Sequence, residues 1–113
     1  MSNPQIVISL TQRKLYLITK EGLQFVFPVA IGKPETPTPK GTWRIQNKKI
    51  LSDSTAFGTH WLGLNMPGYG LHGTDKPEFI GKAVSAGCIR MYNQDIQYLF
   101  QQVAIGTSVI IND

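Results

Sequence analysis

Apolar and polar residues alternate at the start of the chain with the two-residue period of half-buried strands. Ile6-Val7-Ile8-Ser9-Leu10 and Leu15-Tyr16-Leu17-Ile18-Thr19 carry this pattern, with the polar run Thr11-Gln12-Arg13-Lys14 between them. Lys20-Glu21-Gly22 predicts a turn, and Leu23 to Ile31 a longer apolar strand. Pro28 lies inside that strand and has no N–H to give a ladder, so the strand is expected at a sheet edge or with a bulge there. Gly32 to Gly41 (GKPETPTPKG) is rich in proline and glycine. Too little chain precedes it for an independent core without disulfides, which predicts a rigid loop inside one domain, residues 1–113, and not an interdomain linker.

Extended structure resumes at Thr42-Trp43-Arg44-Ile45, Leu51 to Gly58 reads as irregular, and Thr59 to Asn65 alternates as a strand. Met66-Pro67-Gly68 predicts a turn into Tyr69-Gly70-Leu71-His72. The helical period appears once: Ile96, Leu99, Phe100 and Val103 form a stripe, with Asn93 as the expected cap, Asp95 in the first turn and Gly106 as the stop. Val109-Ile110-Ile111 predicts a closing strand. The expected fold is mainly β, a compact, mostly antiparallel sandwich or barrel with one amphipathic helix near the C-terminus.

Composition narrows the classes. Of the 113 residues 42% are hydrophobic and 16% charged, which excludes intrinsic disorder. The longest apolar run, Phe25 to Ile31, falls far short of the roughly 20 residues of a membrane span. A single cysteine, Cys88, excludes an internal disulfide and a multi-thiolate zinc ribbon. Met1-Ser2-Asn3-Pro4 lacks a basic n-region and an apolar h-region, so no secretion signal is expected in the chain as given. The net charge of +4 leans toward anionic partners, but the basic residues are scattered and no nucleic-acid module is visible, so no nucleic-acid partner is expected.

Two stretches carry candidate chemistry: Leu71-His72-Gly73-Thr74 and Ser85-Ala86-Gly87-Cys88-Ile89-Arg90-Met91. A thiol nucleophile needs a base to take its proton, and histidine is the usual one. It also needs donors aimed at the developing oxyanion, and a glycine before the cysteine leaves the amides of Gly87 and Cys88 unobstructed. Arg90, two positions after Cys88, falls on the same face of a strand and suits a substrate carboxylate. The bland readings are a buried structural thiol for Cys88, a loop histidine for His72, a cleft-wall role for His60 and a local backbone bond for Ser85.

Together these motifs resemble the L,D-transpeptidase catalytic domain, or YkuD domain, of bacterial cell-wall enzymes. That family carries a His-Gly pair, then a Ser/Thr-x-Gly-Cys-x-Arg/Asn motif, which here are His72-Gly73 and Ser85-Ala86-Gly87-Cys88-Ile89-Arg90. Pro39-Lys40-Gly41-Thr42-Trp43 and Gly106-Thr107-Ser108-Val109 match the family at either end of the chain, so the resemblance covers nearly all of it. The departure is Ala86, where many members have histidine. The resemblance implies Cys88 as nucleophile and His72 as base within hydrogen-bonding reach of it. It implies the Gly73 carbonyl, not Asp75, as the group that orients His72. It further implies an oxyanion hole at Gly87 and Cys88, and Arg90 and Ser85 as substrate-binding residues.

The implied substrates are peptidoglycan stem peptides, as donor and acceptor, joined in a 3→3 cross-link or hydrolysed by water. No metal or cofactor is implied, and carbapenem-type β-lactams are the implied inhibitors. The implied location is the cell envelope or periplasm, against which the chain as given shows no export signal, so a cytoplasmic location stays open. Two rivals stand beside this enzyme: a non-catalytic cell-wall peptide- or glycan-binding module on the same fold, and a zinc hydrolase using His60, His72 and Cys88.

Overall fold

The computed structural model describes residues 4–22, 24–52 and 56–113. Leu23, expected to start the third strand, residues 53–55 of the irregular stretch, and Met1, Ser2 and Asn3 lie outside the described residues.

The described residues form ten strands and one α-helix: β1 (Gln5–Ser9), β2 (Lys14–Ile18), β3 (Gln24–Pro28), β4 (Ile31–Gly32), β5 (Gly41–Ile50), β6 (His60–Leu64), β7 (Gly70–His72), β8 (Ala83–Ser85), β9 (Ile89–Arg90), α1 (Asn93–Gln102) and β10 (Ser108–Asn112). A 3-10 turn spans Pro77–Phe79. Eight strands form one curled sheet in the order β3-β2-β1-β10-β5-β6-β7-β9, and β4 pairs with β8 separately. The mainly-β expectation with one late helix holds, and so does the edge position of the Pro28 strand. Most pairs are antiparallel, while β1 with β10, β7 with β9 and β4 with β8 run parallel.

Alternation sets the inner face. Ile6 and Ile8 of β1, Leu15 and Leu17 of β2, and Val109 and Ile111 of β10 point to one buried cluster. From the other half of the sheet come Ile45, Leu62, Leu71 and Ile89, and α1 closes the layer with Ile96 and Leu99. Each such fully buried side chain contributes about 1.5–3 kcal/mol of transfer free energy, the main force that holds α1 on β6 and β7.

Both helix ends correct the sequence expectation. Asn93 is the first helical residue and Tyr92 occupies the cap position, extended and with no side-chain cap bond. Asn93 is engaged elsewhere: its Oδ1 accepts from the Thr74 N–H (3.1 Å) and its Nδ2 donates to the Thr74 carbonyl (3.0 Å). At the other end the helix stops at Gln102, before Gly106. Lys48 of β5 does the work expected of the glycine, donating from Nζ to the carbonyls of Phe100 (2.7 Å) and Val103 (2.8 Å). The ammonium also lies 4.3 Å from the centre of the Phe100 ring.

Asn93 thereby fastens the segment just after His72 to the helix. Asn93→Ala loses both bonds and leaves the Thr74 backbone groups unpaired, and is expected to destabilise the protein by about 1–3 kcal/mol. Chemical denaturation of the variant beside wild type measures this.

Candidate active site

Two short strands build the site. β7 and β9 lie parallel with Leu71 opposite Ile89 and His72 opposite Arg90, and the Met91 N–H donates to the His72 carbonyl (2.9 Å). Leu71 and Ile89 face the core, so His72 and Arg90 share the other face, and alternation puts Cys88 there too. The three line one cavity of about 270 Å³ together with Ala56, Phe57, Ser85 and Ala86. His72 and Cys88, far apart in sequence, thus line the same cavity.

His72 is held on several sides. The His72 Nδ1–H donates to the Gly73 carbonyl (2.6 Å), which fixes the tautomer and leaves Nε2 as the free acceptor. Trp61 stacks on the imidazole (centroids 5.7 Å apart, 18° between planes), and Phe57 meets it edge-on at 4.9 Å. Trp61 is anchored by its Nε1–H to Asn47 Oδ1 (3.0 Å). Its ring lies close over Gly70, where an added Cβ would stand 2.7 Å from it. Only glycine leaves room for this stack. His72 is 3% exposed, and burial lowers its pKa to about 4. The Arg90 charge pushes in the same direction, opposed by the carbonyls of Gly73 and Phe57. Near neutral pH the ring is an uncharged base.

Cys88 sits in a shaped loop. Burial raises the Cys88 pKa, while a backbone bond from Gly70 and the Arg90 charge act against that rise. The resting pair is therefore thiol and neutral imidazole. In this state Sγ–H donates to the Gly68 carbonyl (3.5 Å) and not to His72. Ser85 lines the cavity, but its buried hydroxyl is spent on the loop: it donates to the Cys88 carbonyl (2.6 Å) and accepts from the Gly87 N–H (3.0 Å). That bond engages one of the two amides expected to serve an oxyanion. Among the described residues no hydrogen bond or ion pair holds the Arg90 guanidinium, which faces the cavity with its donors available.

His60 lies apart from this group. Its Nδ1 bonds the Thr59 hydroxyl (2.8 Å) and its ring packs on Phe100 at 4.8 Å. Among the described residues no three His, Cys, Asp or Glu side chains gather as a metal would need, so the set of His60, His72 and Cys88 is not assembled. Sequence reasoning missed Trp61, Phe57 and Asn47. The available signal was Gly63 and Gly70, two side-chain-free positions on the face that carries Trp61 and His72.

The chain matches the family model described as the YkuD L,D-transpeptidase catalytic domain over residues 3–111. It is 44% identical over 107 residues to the protein named as the L,D-transpeptidase YkuD of Bacillus licheniformis, covering 95% of this chain and 64% of that protein. The chain thus spans a little under two-thirds of that relative's length. Its fold superposes on the L,D-transpeptidase from Mycobacterium smegmatis with a TM-score of 0.86 at 20% identity, covering 98% of this chain and 59% of that one. L,D-transpeptidase 3 from Mycobacterium tuberculosis, solved with a faropenem-derived adduct, gives a TM-score of 0.81 at 23% identity, covering 97% of this chain and 61% of that one.

The buried neutral histidine makes stability depend on pH. Below pH 6.5 the unfolded chain takes up a proton at His72 that the folded protein refuses until about pH 4, so the folded state loses stability as pH falls through that window. The loss is on the order of 3 kcal/mol in total. His72→Gln, which does not titrate, is expected to flatten this part of the profile, as read by urea denaturation from pH 7 to pH 4.

Proposed function

Since the chain belongs to the YkuD L,D-transpeptidase catalytic domain family, we propose that residues 1–113 are one catalytic unit for Cys88-dependent acyl transfer on peptidoglycan stem peptides. The observation that carries this reading is the convergence of Cys88, a tautomer-fixed neutral His72 and an available Arg90 on one cavity.

Arg90 binds the carboxylate of the terminal D-alanine of a donor tetrapeptide, and so presents the amide between that residue and the L-centre of the preceding diamino acid. The thiol turns from Gly68 to His72 Nε2 and gives up its proton as sulfur attacks the amide carbon. The pair starts neutral, so proton transfer and attack are coupled, and no thiolate has to be maintained in a half-buried site. The tetrahedral oxyanion is met by the amide of Cys88, and by that of Gly87 once its bond to Ser85 is shared. Imidazolium then donates its proton to the departing nitrogen, the C–N bond breaks, D-alanine leaves, and Cys88 carries a thioester. The amine of a second stem peptide attacks the thioester carbon and gives its proton to His72, which returns it to the departing sulfur, leaving a 3→3 cross-link. Water in place of the amine gives an L,D-carboxypeptidase. The cell envelope is proposed as the working location on the ground of these substrates alone.

The same reading accounts for a β-lactam as an inhibitor, and the faropenem-derived adduct of the Mycobacterium tuberculosis relative supports it. Carbapenems and faropenem are expected to add one acyl group to Cys88, visible by intact mass and absent in Cys88→Ser, while most penicillins react poorly. His72→Gln is expected to slow this acylation by about 10²–10⁴-fold. Arg90→Gln is expected to raise KM for a stem tetrapeptide more than it lowers kcat. A wild-type protein that iodoacetamide alkylates at Cys88 but no carbapenem or penem acylates would move the binding-module reading ahead.

A further inference from the structure

The loop between β4 and β5, Lys33 to Lys40, touches the nucleophile loop through two hydroxyls. Thr36 Oγ1 donates to the Ser85 carbonyl (2.9 Å). Thr38, 5% exposed, accepts from the Gly32 N–H (3.0 Å) and donates its one hydroxyl proton to the Gly87 carbonyl (2.8 Å).

The second of these bonds acts on the peptide group that carries the Cys88 amide. The Gly87 carbonyl and the Cys88 N–H belong to one planar unit, and no peptide bond described is cis, so the two groups point in opposite directions. Holding the carbonyl against Thr38 therefore aims the Cys88 N–H away from that loop. Among the described residues no backbone acceptor takes this N–H. The units on either side are fixed separately, because Ser85 takes the Gly87 N–H and the Cys88 carbonyl. Gly87 has φ +127°, with the Tyr69 ring filling the space where a side chain would stand. A glycine in that region is free to rotate, so the plane after it needs an outside restraint. Thr38 is that restraint.

We propose that Thr38 is a positioning residue that sets the oxyanion-binding amide of Cys88 through the Gly87 carbonyl. This rests on the acyl-transfer reading above. It assigns a catalytic consequence to a residue outside the cavity, since Thr38 lines neither His72 nor the thiol. Its removal leaves Cys88 and His72 in place, frees the Gly87 carbonyl and with it the Cys88 donor, and also takes the acceptor from the Gly32 N–H, a general cost to the loop that the comparison below separates out.

Two reactions of Cys88 separate this from a general weakening of the loop. Alkylation by iodoacetamide passes through no oxyanion, whereas acylation by faropenem does. Thr38→Val, nearly isosteric and without the hydroxyl, is expected to slow acylation by about ten- to a hundredfold while alkylation stays within about twofold. Thr38→Ser, which keeps the hydroxyl, is expected to restore acylation to within about threefold of wild type. Thr38→Ala carries the same comparison if the valine variant does not fold. Equal acylation in wild type and Thr38→Val, a matched fall in both reactions, or a serine variant without rescue each overturns the assignment. A wild-type protein that is alkylated but never acylated overturns the acyl-transfer reading itself, and this proposal with it.

Discussion

A parallel pairing two residues long holds the site together. With Leu71 beside Ile89 and His72 beside Arg90, one register decides that the imidazole, the thiol and the guanidinium share a face. A slip of one residue would turn Cys88 and Arg90 toward the core and Ile89 toward the cavity. So short a ladder has few hydrogen bonds of its own, and its register is fixed from outside. Leu71 and Ile89 are locked into the core, the Met91 N–H reaches the His72 carbonyl, and Ala30 and Arg90 exchange backbone bonds on the far side.

The second constraint is the treatment of His72. A buried imidazole without support would be costly and badly oriented, and each wall around it answers one of these problems. The Gly73 carbonyl takes the Nδ1 proton, Asn93 ties down the next residue, and the Trp61 stack, held by Asn47, fixes the ring plane. The same burial that depresses its pKa prevents an ion pair with Cys88, whose own thiol is pushed toward the protonated form. In the acyl transfer proposed above, a neutral pair places the demand on transition-state donors instead of on a preformed thiolate, and so on the orientation of the Cys88 amide.

How much of this was legible in the sequence depends on the range over which each feature is determined. β1, β2 and β10 announce themselves because alternation is local. Pro28 left an edge or a bulge open for β3, and the edge is where it lies. The two-residue strands β4 and β9 carry too few positions for any period, and exist because distant partners hold them. The helix ends misled for the same reason: Asn93 looks like a cap until Thr74 claims its side chain, and Gly106 looks like a stop until Lys48 arrives from β5. At the site, the two motifs drew attention to His72, Cys88 and Arg90, which line one cavity because β7 and β9 pair. Trp61 and Thr38 were not, since each acts through a contact that only the folded sheet creates.

The chemistry proposed for Cys88 depends on the protonation state of one ring. Nitrogen-15 NMR of the imidazole of His72, followed across pH, reports the tautomer and the midpoint together. An Nδ1–H neutral ring that titrates near pH 4 is the result expected from burial and the Gly73 carbonyl. An imidazolium persisting to pH 6.5 or above, or an Nε2–H tautomer, would mean that the base is already occupied where the Cys88 proton must go, and would contradict the neutral-pair mechanism.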